Sequence, residues 1–313
     1  MVPGGFSVQA YIDLMTLDFG QMLLRNCRTG VFNNLASFTL YLESIQPYNH
    51  NMSVNSLHPS HPTTDFLSLG LNALSRLPSM KNLILTSHIS LSPSIFWPKD
   101  LDSDGVLPCW PSLKILKVKF TTCTPSGGWY IKEDPFRTSE PNIPESIYNS
   151  DSDSSSGSFS ERSASDSDLS TTGDWINHRK EEVLRGAQVD VFRTIIDPAA
   201  FNPVILALAK AVARMEKIQR VEFMFMGACL PPADFTALYV SEGIAQSMVP
   251  GDEANIDKKR LYLEVGQGLK WGVPEMDKEL LWALKECVGE GGVVGINILT
   301  EHARNSADHY RYL

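Results

Sequence analysis

The chain has 313 residues, of which 43% are hydrophobic and 9% aromatic, enough for one large core or two ordinary ones. The formal charge of −9 is concentrated, because Asp151 to Asp174 holds six acids and one base; the remaining body, near −4, points to neither nucleic acid nor an acidic membrane surface. Five scattered cysteines (Cys27, Cys109, Cys123, Cys229, Cys287) form no CxxC pair, no basic leader precedes an apolar run, and no window reaches about 18 uninterrupted apolar residues. A cytoplasmic or nuclear protein with reduced thiols, without a structural metal, a cofactor or a membrane span, is the expectation.

In chain order, Leu14-x-x-Leu17-x-Phe19 fits an apolar-x-x-apolar-x-apolar strand, followed by a short helix over Gln21 to Cys27. The same spacing returns at Leu35-x-x-Phe38-x-Leu40. Thr63 or Thr64 then caps a helix carrying Leu67, Leu71, Leu74 and Leu77 on one face. Met80-x-x-Leu83-x-Leu85 is the next strand, and Leu113-x-x-Leu116-x-Val118, extended by Phe120, the one after. Both follow a matching lead-in, Leu77-Pro-Ser and Trp110-Pro-Ser.

Thr124-Pro-Ser-Gly-Gly-Trp-Tyr-Ile131 reads as a turn, after which the pattern dissolves. Twelve of the twenty-five residues from Ser146 to Ser170 are serine. So polar a stretch buries too little apolar surface to offset the roughly 1–2 kcal/mol per residue lost on ordering a backbone, which predicts a disordered insertion over 138–174 within a domain spanning 10–313. Ser150, Ser158, Ser163 and Ser165 each have an acid three residues on, matching sites for acidophilic kinases; a solvated spacer is the other reading.

Glu181 to Ile196 fits either a helix or an extended piece. Next, Asn202 as cap and Pro203 at the first helical position predict a helix through Met215, feeding a strand at Ile218-x-x-Val221-x-Phe223. A helix from Asp234 to about Met248 and a strand at Leu261-x-Leu263-x-Val265 follow, with Lys258 in the first apolar slot. The last pair is a helix from Asp277 to Gly289 and a strand at Val293-x-x-Ile296-x-Ile298.

Seven strands alternating with helices give an α/β fold. Their shared spacing favours a leucine-rich-repeat-like solenoid, parallel strands on one face and helices on the other; a doubly wound sheet is the rival. The strand positions facing away from the helices, Tyr41, Ile84, Lys117, Lys119, Met224, Met226 and Tyr262, form the candidate protein-binding surface, because aromatic, Met and basic side chains are enriched at contacts.

Catalytic and metal motifs are incomplete. Asp100-x-Asp102-x-Asp104-Gly105 opens like an EF-hand loop, but Pro111 stands where the bidentate Glu belongs. Gly266-Gln-Gly268 and Gly289-Glu-Gly-Gly292 lack the continuation of a phosphate-binding loop, and His58 and His61 share a Pro-rich loop with no nucleophile beside them. No enzyme is expected.

Leu77-Pro-Ser-Met-Lys81, Trp110-Pro-Ser-Leu-Lys114 with Gly127-Gly-Trp-Tyr130, and Phe201-Asn-Pro-Val-Ile-Leu-Ala-Leu-Ala-Lys-Ala-Val-Ala-Arg-Met215 resemble the fungal F-box proteins with irregular leucine-rich repeats, over about residues 10 to 300. The resemblance implies a substrate-binding repeat region for a cullin ubiquitin ligase, reached through a Skp-type adaptor that an F-box recruits. No Leu-Pro-x-Glu-type F-box signature precedes Leu14, so an upstream module is expected to supply it. Thr121, His88 and Met226 replace the asparagine of conventional repeats, which makes these repeats irregular. A stand-alone interaction scaffold is the alternative function, with an unrecognised enzyme third.

Overall fold

The computed structural model describes residues 8–41, 64–98, 108–133, 193–226, 234–246, 249, 252–266, 269, 271, 276–298 and 310–312. The chain divides into two units: Met1–Gln46, Ser53–Glu133 and Arg193–Leu313 form the first, and Pro47–Met52 with Asp134–Phe192 the second. All elements below belong to the first. The predicted insertion and its serines Ser150, Ser158, Ser163 and Ser165 lie outside the described residues, as do His58, His61 and the Asp100–Gly105 loop.

Among the described residues the fold is mixed α/β with a mostly parallel central sheet and four helices. In chain order these are α1 (Val8–Arg28), β1 (Ser37–Leu40), α2 (Phe66–Ser75), β2 (Asn82–Ile89), β3 (Ile115–Thr121), β4 (Ile131–Glu133), β5 (Arg193–Ile196), α3 (Pro198–Val212), β6 (Arg220–Met226), β7 (Asp234–Val240), β8 (Arg260–Val265), α4 (Lys278–Val288), β9 (Val293–Ile298) and β10 (Tyr310–Tyr312). The large sheet has the order β1-β2-β3-β6-β7-β8-β9-β10, while β4 and β5 form a separate antiparallel pair. Strands β1, β2, β3, β6, β8 and β9 run one way; β7 and β10 run against them.

A repeated turn explains why the same spacing precedes several strands. The residue in the first apolar slot closes a turn onto the carbonyl three residues back: Leu35 onto Phe32 at 2.9 Å, Met80 onto Leu77 at 3.0 Å, Ile218 onto Met215 at 3.1 Å. Met80, Leu113 and Ile218 in that slot are buried. Lys258, an exposed residue, makes the same bond to Asn255 at 3.0 Å, so it is backbone geometry that recurs where the side chain departs. The next two N–H groups then share one carbonyl of the preceding unit: Lys81 and Asn82 on Ala36, Lys114 and Ile115 on Lys81, Gln219 and Arg220 on Lys114.

Period-two alternation sends Leu83, Leu85, Leu116, Val118, Phe120, Val221, Phe223 and Phe225 to the helix side, where all are buried. Register aligns them in rows, such as Leu85–Val118–Phe223–Ala237–Leu263–Ile296. Phe201 of α3 sits among Phe225, Phe235 and Trp271 with ring centroids 5.2, 4.9 and 5.7 Å away, all edge-on. At the other end, Gly20 of α1 meets α2 so closely that a Cβ there would fall 2.5 Å from the Leu67 nitrogen, which makes glycine the residue this crossing requires.

Several expectations need correction. Leu14, Leu17 and Phe19 lie in helix α1 rather than a strand; the three-residue spacing also fits a helical face, and the twenty-one residues of α1 contain no proline to stop it. Asp234 opens strand β7 rather than a helix, since Phe235, Ala237 and Tyr239 alternate with Thr236, Leu238 and Val240 at a period of two. The helix expected to start at Asn202 starts five residues earlier, where Asp197 caps the Ala199 N–H at 3.1 Å and Pro198 takes the first position. Asn202 is buried inside that helix and accepts a hydrogen bond from Trp271 Nε1 at 3.3 Å. The cap of α2 is Asp65, accepting from the Ser68 N–H at 3.0 Å, rather than Thr63 or Thr64. The stretch left open before Ile196 ends in strand β5.

Candidate functional site

The side of the sheet away from the helices divides in two. On β1, β2, β3 and β6 it carries Thr39, Ile84, Lys117 and Glu222 in one row and Thr86, Lys119 and Met224 in the next. These side chains are half-buried or exposed. On β7, β8 and β9 the first row continues as Leu238, Tyr262 and Gly295, all buried; the second continues as Thr236 and Glu264, both half-buried, and the buried Asn297.

Burial there comes from the chain between β7 and β8. Val249 and Ile244 from this strap pack on Leu238, Val240 and Tyr262. Its anchor is Arg260, fully buried on β8: the guanidinium Nε lies 2.9 Å from Asp252 Oδ1, Nη1 donates to the Asn255 carbonyl at 2.6 Å, and Nη2 donates to the Ile244 carbonyl. Tyr262 donates its hydroxyl to the same Asp252 oxygen at 2.7 Å, and the other oxygen accepts the Gln246 N–H at 3.2 Å. A buried arginine needs this many acceptors, since an uncompensated charge away from water costs several kcal/mol.

In the uncovered half the charges are arranged differently. Glu222 accepts from Lys117 at 2.8 Å and from Arg220 at 2.6 Å. Burial alone would raise the Glu222 pKa, but the Lys117 hydrogen bond and the Arg220 charge outweigh it and hold the carboxyl below its ordinary value. Lys119 has no ion-pair partner among the described residues.

Of the residues expected on the binding surface, Ile84, Lys117, Lys119 and Met224 come together on adjacent strands β2, β3 and β6. Tyr41, 66% exposed, follows β1 at the edge. Met226 ends β6, and its side chain lies outside the described residues. Tyr262 is not on the surface: it is 2% exposed beneath the strap. Glu222 and the Arg260–Asp252 pair were missed by sequence reasoning. For the strap a signal existed in β7, whose apolar Ala237, Leu238, Tyr239 and Val240 fall on both faces and so demand cover on both.

Chemistry requiring a reactive group finds little here. Burial pushes the thiol of Cys27 up to about 11 and those of Cys123 and Cys287 up to about 12, so none is a thiolate nucleophile near neutrality. Among the described residues, no three His, Cys, Asp or Glu side chains converge as metal ligands, and no helix is long and apolar enough to cross a membrane. A cavity of about 10 Å³ between α3, α4 and the sheet is lined by residues such as Ile205, Leu208, Leu261, Leu263 and Leu284, roughly room for one water. Gly289 has φ 73° and closes the C-terminus of α4, so the second glycine cluster is a helix end.

No protein-family model, no curated protein and no solved structure matches the chain.

Proposed function

We propose that this chain is a leucine-rich-repeat-like recognition module that binds a protein partner on the uncovered face of β1, β2, β3 and β6. One observation carries the reading: Ile84, Lys117, Lys119 and Met224 lie side by side and only half-buried, while the continuation of the Ile84–Lys117–Glu222 row is sealed by the strap. Mixed apolar and basic side chains on a regular backbone are what protein contacts draw on. Strands that follow chain order across the sheet, with the same turn leading into β1, β2, β6 and β8, support the repeat architecture over a doubly wound sheet, whose order reverses at a switch point.

Photo-crosslinking tests the surface. A benzophenone side chain at Ile84 is expected to give discrete protein adducts in native cells, and Lys117→Glu with Lys119→Glu is expected to abolish them. Adducts only from position 282 of α4, where Trp282 is 63% exposed on the helix side, would place recognition elsewhere.

The finer role, substrate reception for a cullin ubiquitin ligase through a Skp-type adaptor, is drawn from the family resemblance. In that role the full-length product co-purifies with the adaptor in stoichiometric amounts; a product that never captures it acts as a stand-alone scaffold.

A further inference from the structure

We propose that the partner docks an acidic, extended protein segment along β3, with two carboxylates two residues apart; this rests on the recognition reading above. The charge of the face motivates the choice. Among the described residues on the outer positions of β2, β3 and β6, Lys117, Lys119 and Arg220 stand against one acid, Glu222, which is already held by two of the three. Lys81 and Lys114, both exposed, precede β2 and β3 on adjacent rungs, where the Lys114 N–H bonds the Lys81 carbonyl at 2.7 Å. Neighbouring strands lie about 4.8 Å apart, and like charges on adjacent rungs repel. An anionic occupant relieves such repulsion.

This local excess of bases belongs to a chain whose net charge is −9, so it is a patch of opposite sign and not a reflection of overall composition. The spacing sets the form of the ligand. Lys117 and Lys119 are alternate residues of one strand and share a face, about 6.6 Å apart; alternate acids of an extended segment have the same period. Ile84 lies beside Lys117 on β2 and Met224 beside Lys119 on β6, offering apolar contact on either flank of the acids.

A nucleic acid fits the face less well. Glu222 would sit among phosphates, Ile84 and Met224 would lie under a charged backbone, and among the described residues the one aromatic of this face is Tyr41 at the β1 edge, with none on the outer positions of β2, β3 or β6 to stack a base.

Panning a random dodecapeptide phage library on the immobilised full-length chain tests the proposal. Selected peptides are expected to be enriched in acid-x-acid patterns, and Lys119→Glu is expected to weaken their retention about tenfold. Lys132→Glu, an exposed position on the separate β4–β5 pair, is expected to leave retention unchanged. Acid-rich peptides held equally by Lys119→Glu overturn the proposal. So does a 20-nucleotide oligo-dT bound more tightly than the best peptide. Neutral peptides lost on Met224→Asp overturn the acidic class while leaving recognition by this face intact. Circular dichroism of each variant confirms folding, and if no peptide responds to either substitution, both readings fail.

Discussion

Two halves of one sheet face treat charge in opposite ways. Beneath the strap, Arg260 and Asp252 are removed from water and every contact around them is internal. On β3 and β6, Lys117 and Arg220 share Glu222 while remaining about one third exposed. Burying an ion pair makes each partner dependent on the other, whereas leaving a pair at the surface keeps its charges adaptable and cheap to rearrange. The first half is held together by internal contacts, and the second leaves its charges at the surface.

If that division is right, the same kind of substitution has unequal effects on its two sides. The largest falls on the covered half: Arg260→Met strands Asp252 and is expected to lower unfolding free energy by about 3–5 kcal/mol, read from urea denaturation. An effect under about 1 kcal/mol would mean that the strap does not depend on its anchor. Tyr262→Phe removes one hydrogen bond to a carboxylate and is expected to cost about 1.5–3 kcal/mol by the same measurement.

The smallest effect belongs to the uncovered half, where Glu222→Gln is expected to change stability by less than about 1 kcal/mol at neutral pH. Its pH dependence sharpens the comparison. The folded-state pKa of Glu222 is lowered, so its contribution is present above the ordinary carboxylate range and is lost as pH falls through the lowered value. Wild type and Glu222→Gln are therefore expected to converge once the pH has fallen below that lowered value. A gap that widens on acidification would contradict the pairing with Lys117 and Arg220.

Elements whose pattern had one physical interpretation were legible in the sequence. Leu83, Leu116, Val221 and Leu261 sit in strands where alternation and flanking turns agree, and Asp277 caps α4 with its side chain 2.7 Å from the Leu280 nitrogen. Ambiguity arose where a short apolar spacing fits both periods, as at Leu14 and Leu17, and where cover came from a distant segment. The outward parity of Tyr262 was readable. Its burial was not, because that depends on Asp252, Ile244 and Val249 folding back across β8. Glu222 escaped notice for the same reason, since its partner Lys117 is over a hundred residues away in sequence and meets it only through the β3–β6 register.

The sheet's outermost strands are also its shortest. β1 has four residues and β10 three, against six to eight in every strand between them. Free N–H and C=O groups along a sheet edge are a template for another chain, and a short edge presents few of them. Among the described residues, the two ends of the sheet therefore offer a neighbouring chain little backbone to build on.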